Sequence, residues 1–205
     1  MTKTKLDFDD LDPKLRGKIV KASVIPRPIA WITSLNETGS INLAPFSYFN
    51  LISPSLLAVS FQKNALKEKD TFVNIMREKE AVIHIVDESL IKIMDESASP
   101  LGVNESEFDL TGLKLNPSLK IKTPGIKEAL IAFEVVLENS IALNNYEASE
   151  EEGNLVIMRI VAAILDDKVY DKENNYILAD QLKPIARLAG ADYSALKILD
   201  YKRKY

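Results

Sequence analysis

Along this chain the apolar positions fall mostly in short runs bounded by polar turns, and few stretches repeat them at helical spacing. Ile29 to Leu35 is apolar on both faces, which predicts a buried strand. Asn36-Glu37-Thr38-Gly39-Ser40 has the length and the glycine of a hairpin turn, and Ile41 to Asn50 reads as the return strand. Pro45 inside it has no N–H to give a ladder, so it marks an edge or a bulge. Ser53-Pro54 turns the chain into a third strand, Leu56 to Phe61. After a polar loop from Gln62 to Lys69, Asp70 can cap a helix from Thr71 to about Lys79, with Phe72, Ile75 and Met76 as its apolar stripe. Ala81 to Val86 is a fourth strand. Asp87 can cap a helix through about Ala98 that turns Leu90, Ile93 and Met94 inward.

The remaining chain is less regular. Asp12 and Pro13 suit the N-cap and first turn of a short helix that Gly17 would limit. Val20 to Pro28 is a connector, extended at Pro26-Arg27-Pro28. Ser99 to Gly125 is rich in Pro and Gly and long for a loop, hence either a lid or an excursion packed on a partner chain. Ala129 to Leu143 is a long strand or a bent pair, Asn144 to Gly153 an acidic solvated loop, and Leu155 to Leu165 a strand apolar but for Arg159. Asp180 to Ala195 reads as a short helix and turn. Six or seven strands joined mainly by turns favour a mainly β, antiparallel sheet, and closure into a barrel would remove its unpaired edges. The 205 residues fit one domain, with a core over about residues 20–195, because no linker divides them.

Composition narrows the chemistry. Apolar content of 46% and charged content of 27% are ordinary for a soluble globular chain, and a net charge of −4 argues against a general nucleic-acid binder. With no cysteine and a single histidine, His84, there is no disulfide, no thiolate chemistry and little basis for a metal centre or a hydrolytic triad. No apolar run reaches the roughly 18–20 residues of a membrane span. The polar, acidic start does not resemble a signal peptide, so a cytoplasmic protein is expected. Glycine-rich dinucleotide turns, P-loops, GxSxG elbows and HExxH helices are all absent from the sequence.

What remains is a constellation. A helix start at Lys69-Asp70-Thr71 offers free backbone N–H groups, a hydroxyl and a cation, which suits a phosphate or is an ordinary cap. Lys63 and Lys67 would add positive field. Ser47-Tyr48-Phe49-Asn50 mixes directed polar groups with flat rings, as an isoalloxazine site needs, or is a half-buried strand. Thr33-Ser34-Leu35 could bond a ring edge or ribityl chain, or serve the hairpin. Arg27 could pair with phosphate or with an interface carboxylate. Arg187 to Tyr193 is a compact turn, either a C-terminal cap or a flap over the flavin. Trp31 suits the core or a dimer contact, and His84 a bonded structural role. Arg159, if buried, needs an acidic partner.

The order R-P-I-A-W-x-T-S, a turn with Gly, N-L-A-P-F-S-Y-F-N and K-D-T resembles the flavin reductase-like family. These are FMN-binding split-barrel proteins related to flavoredoxin and to the reductase components of two-component monooxygenases. The similarity continues through M-D-E-S-A-S-P-L, E-S-E-F-D-L-T-G-L and P-I-A-R-L-A-G-x-x-Y, and so spans about Pro26 to Tyr193. The resemblance implies a six-stranded antiparallel split β-barrel with added helices, and a homodimer with FMN near the interface. Thr33, Ser34 and Leu35 would line the flavin; Ser47, Tyr48, Phe49 and Asn50 would hold the ring and ribityl region; Lys69 and Thr71 would hold the phosphate. Arg187 and Tyr193 belong to the C-terminal motif, where Arg187 would add a flavin contact and Ala189 replaces the first of two glycines common in the family. The implied activity is hydride transfer from NADH or NADPH to flavin, with a monooxygenase or another acceptor as partner and no essential acid–base side chain. The alternative is an FMN-binding electron carrier without its own NAD(P)H reaction.

Overall fold

The computed structural model describes residues 1–63, 67–98 and 107–204. Its main sheet holds seven strands: β1 (Ala30–Leu35), β2 (Ile41–Phe46), β3 (Phe49–Ser53), β4 (Leu56–Gln62), β5 (Glu80–Ile85), β6 (Ile131–Asn144) and β7 (Glu151–Leu165). Their order across the sheet is β2-β1-β5-β6-β7-β4-β3, and every neighbouring pair is antiparallel. The outermost strands, β2 and β3, are consecutive in the chain and separated only by Ser47 and Tyr48.

That spacing forces closure. Laid flat, the outer strands of such a sheet would be about 29 Å apart at a spacing of about 4.8 Å per strand. The Phe46-to-Phe49 link spans about 10 Å at most. The sheet therefore curls until its two edges meet at the crossing. There Ser60 N donates to Tyr48 O at 2.8 Å, and the Phe46 and Phe61 rings approach edge-on at 4.7 Å. The six-stranded expectation is corrected to seven because Ile41–Asn50 is not one strand but two, lying on opposite edges. Pro45 does sit on an edge strand, opposite Trp31, and its missing N–H disturbs no second neighbour.

Both faces of β1 are covered. Ala30 and Ile32 face the barrel interior with Val59, Phe61, Ile83, Val135 and Met158. Ile29 and Trp31 face a second cluster with Leu43, Val86, Met94, Ile126 and Ile185. Trp31 is thus a core residue, and its Nε1 donates to Ser97 Oγ at 2.9 Å. The long strand β6 is continuous rather than a bent pair, and bulges in its pairing with β7 absorb the curvature.

Helix α1 (Pro13–Ser23) starts as its sequence suggests, with Asp12 Oδ1 accepting from Lys14 N at 2.7 Å. It runs through Gly17, because a glycine weakens a helix without stopping it. Helix α2 (Asp70–Glu78) closes one end of the barrel with Phe72 and Ile75. Its N-cap is Lys69 rather than Asp70. Helix α3 (Ile91–Glu96) is shorter than expected, because the Asp87 carboxylate closes a local turn by accepting from Ser89 N at 2.7 Å. Residues 115–116 and 125–126 form a short ladder that closes the 99–125 stretch, whose first part, with the expected motif around Pro100, lies outside the described residues. A separate three-stranded sheet joins Arg27–Pro28, Ile185–Arg187 and Tyr193–Ala195.

Candidate functional site

Two groups of expected residues emerge, one at each end of the β1–β2 hairpin. The first is built where α2 meets the hairpin tip. Asn42, from β2, donates through Nδ2 to Ser34 Oγ at 3.1 Å and to Thr71 Oγ1 at 2.8 Å. Asn74, one turn into α2, donates to Ser34 Oγ at 3.1 Å and to Asn36 Oδ1 at 2.9 Å. Ser34 and Thr71 are buried, at 0% and 2% exposure, and their oxygens already accept from amides. Their hydroxyl hydrogens are therefore left to donate.

Thr71 stands in the first turn of α2, beside backbone N–H groups that no side chain caps. The cap residue, Lys69, is half-buried, and its ammonium has no ion pair among the described residues. Asp70 opposes an anion here, but its carboxylate is held by Lys67 at 3.4 Å. Lys63, expected to add positive field, is instead paired with Glu151 at 2.9 Å and Glu68 at 3.2 Å. The hydrogen bond to Glu151, ahead of the pull of Glu68, raises the Lys63 pKa above its ordinary value. The donor set of Lys69, Thr71 and the helix N-terminus suits a phosphate.

The second group lies on the β2–β3 crossing. Ser47 and Tyr48 are half-buried, and neither side chain has a hydrogen-bond partner among the described residues. Phe49 turns inward as part of the barrel core, so its ring faces Val59 and Phe61 rather than the surface. Asn50 is exposed, and its Oδ1 accepts from Leu51 N at 2.9 Å, while its amide hydrogens have no partner among the described residues. The Arg27 guanidinium lies 5.9 Å from the Tyr48 ring. It donates to the carbonyls of Lys21, Val24 and Leu188 at 2.8, 2.8 and 3.0 Å, and pairs with no carboxylate among the described residues. Arg187 lies over the Tyr193 ring at 4.6 Å and donates to the carbonyls of Gly190 and Ala191.

Among the described residues, no hydrogen bond or ring contact joins the two groups. They are separated by the length of the hairpin, from the Ser34–Asn42 pair to the Ala30–Phe46 pair, which is about 13 Å of strand. Only an elongated ligand could touch both. Thr33 and Ser34 do not share a face: Thr33 Oγ1 donates to Pro124 O at 2.7 Å, on the side away from α2. Leu35 accepts at its carbonyl from Arg77.

Other candidates resolve as structural. His84 is fully buried; its Nε2 accepts from Ile126 N at 2.9 Å, so Nδ1 carries the proton and donates to Trp31 O at 2.8 Å. Burial pushes its pKa down to about 4, against a smaller opposing effect of the Trp31 carbonyl. Arg159 is not buried, and its partner is Glu138 across the ladder, at 2.8 and 2.6 Å. Asn42 and Asn74 were not singled out from sequence. The signal was the spacing of Asn74 three residues after Thr71, on one helix face.

Residues 22–185 match the flavin reductase like domain family. The uncharacterised protein YwrF of Bacillus subtilis is 42% identical over 190 residues, 92% of each chain. Nitrilotriacetate monooxygenase component B from Bacillus cereus superposes with a TM-score of 0.92 at 38% identity, covering 98% of this chain and 100% of that one. A split-barrel protein of the flavin reductase type from Shewanella frigidimarina has a TM-score of 0.80 at 20% identity, with 96% of each chain covered, and so shares the fold. The curled sheet described above is accordingly a split barrel.

Proposed function

The chain belongs to the flavin reductase-like domain family, and from that premise we propose that it binds FMN and passes hydride to it from NADH or NADPH. The observation that carries this reading is the α2 end of the hairpin. Two amides fill the acceptor sites of Ser34 Oγ and one binds Thr71 Oγ1, so those hydroxyls can donate beside a helix N-terminus with no side-chain cap and a Lys69 that has no ion pair among the described residues. FMN, when bound, supplies a ring that accepts hydride; the rest of the work falls to the chain. Lys69 and Thr71 would hold the phosphate. Ser47 and the Asn50 amide would bond the ring's polar edge, with Tyr48 as an apolar wall. Thr33 and Leu35 would shape the strand behind Ser34, and Phe49 would anchor the crossing from the core side. No side chain is required as a general acid or base.

The protein is proposed to act as a homodimer in the cytoplasm and to hand electrons to a monooxygenase or another acceptor, in keeping with the component B relative. Anaerobic stopped-flow mixing of the FMN-loaded protein with NADH or NADPH tests the reaction. Bleaching of the flavin band faster than without protein is expected. Tight FMN binding with no acceleration would instead assign the protein as an electron carrier reduced by a partner.

A further inference from the structure

We propose that Arg27 and Arg187 form a second anion site, apart from the α2 N-terminus, that takes the pyrophosphate of the nicotinamide dinucleotide donor. The inference rests on the FMN reading above and assigns the donor its own place. Arg27 is the ladder partner of Arg187, and Arg187 is the ladder partner of Tyr193. Directly opposed residues on antiparallel strands project from the same face, so the three side chains form a row across the small sheet. The row continues into the crossing, because the Arg27 guanidinium also faces the Tyr48 ring.

Backbone carbonyls hold both guanidiniums in place, and each also faces a tyrosine ring, Tyr48 for Arg27 and Tyr193 for Arg187. Arg27 spends both Nη1 hydrogens and one from Nη2 on Lys21, Val24 and Leu188, which leaves Nε–H, buried and unpartnered, and one Nη2 hydrogen. Arg187 spends one hydrogen from each Nη on the 190–191 turn and keeps Nε–H. Neither forms an ion pair among the described residues. Asp95 meets the row by accepting from the Tyr193 hydroxyl at 2.8 Å. Adjacent cations without counter-ions repel, and rigid forks with spare N–H groups match phosphate oxygens. Tyr48 and Tyr193 flank them with flat apolar surface. A donor whose pyrophosphate sat here would have its nicotinamide within reach of a ring lying on Ser47–Asn50, while the FMN phosphate lay at the far end of the hairpin.

Isothermal titration of FMN-saturated protein with NAD+ and, separately, with inorganic pyrophosphate tests the proposal. Arg187→Gln is expected to weaken both at least about tenfold, the loss of charge-assisted hydrogen bonds, with FMN and riboflavin affinities within about twofold of wild type. Arg27 also clips three carbonyls, so the second variant is Arg187→Lys, which keeps the charge and is expected to recover much of the loss. Unchanged NAD+ and pyrophosphate binding in Arg187→Gln would overturn the proposal. So would weakened FMN with unchanged riboflavin, since the arginine would then hold the flavin's own phosphate. Equal losses in both variants with a lowered Tm would place the effect in the turn's structure and overturn it too. Failure of the wild-type protein to bind FMN at all is a distinct result; it removes the FMN reading and this inference with it.

Discussion

Asn42 is the residue on which the α2 end of the site turns, because one buried amide orients two hydroxyls from two elements. Asn42→Ala is expected to free both hydroxyls to bond elsewhere, to weaken FMN binding about tenfold and to cost about 1–2 kcal/mol of stability, read by urea unfolding. His84 gives a pH signature. Its folded pKa of about 4 lies below the ordinary 6.5, so the unfolded chain binds the proton more readily. The stability His84 contributes is full above about pH 6.5 and is lost as pH falls towards 4, on the order of 3 kcal/mol. Urea unfolding at pH 7 and pH 4.5 should show a larger loss for wild type than for His84→Gln. At this scale Lys69, Ser34 and Thr71 were legible as donors, since their types and the helix start suffice to mark them. That Ser34 and Thr71 share Asn42 was not, because hairpin register and helix docking decide it, and neither is written in local spacing.

Among the elements, β7 depends on a close approach that tolerates no side chain. A Cβ at Gly153 would lie 2.5 Å from the Phe61 carbonyl oxygen and 3.1 Å from Gln62 Cα, both backbone atoms of the paired strand β4. Gly153→Ala is expected to part β7 from β4 locally and to destabilise by about 1–3 kcal/mol, seen as a lowered Tm. Most strands could be found from their apolar runs. The break inside Ile41–Asn50 could not, because N-L-A-P-F-S-Y-F-N alternates well enough for one strand, and only the closure of the barrel sends Phe49 to the far edge. Helix α2 was found from its stripe, and its boundary differed by one residue, as helix ends do.

For the whole molecule, antiparallel class followed from short strands and turns, whereas strand number and closure depend on contacts far apart in sequence. The surface leaves apolar side chains uncovered: Leu51 and Ile52 on edge strand β3, and Leu196, Ile198, Leu199 and Tyr201 near the C-terminus. Helix α1 has no fully buried residue, though an isolated helix of its length is marginal in water. These surfaces suit the proposed homodimer. Light scattering on the eluting protein should give twice the chain mass, and Leu51→Glu should shift it towards the monomer; a monomeric wild type would contradict the dimer.

The most direct measurement is equilibrium titration of FMN and of riboflavin into the purified protein, followed by quenching of flavin fluorescence, with wild type beside a Lys69→Ala/Thr71→Ala double variant. If a phosphate sits at the start of α2, wild type binds FMN at least about tenfold more tightly than riboflavin, and the double variant loses that preference while its riboflavin affinity holds. Equal affinity of the wild-type protein for the two flavins, or a double variant that keeps its preference for FMN, would contradict it.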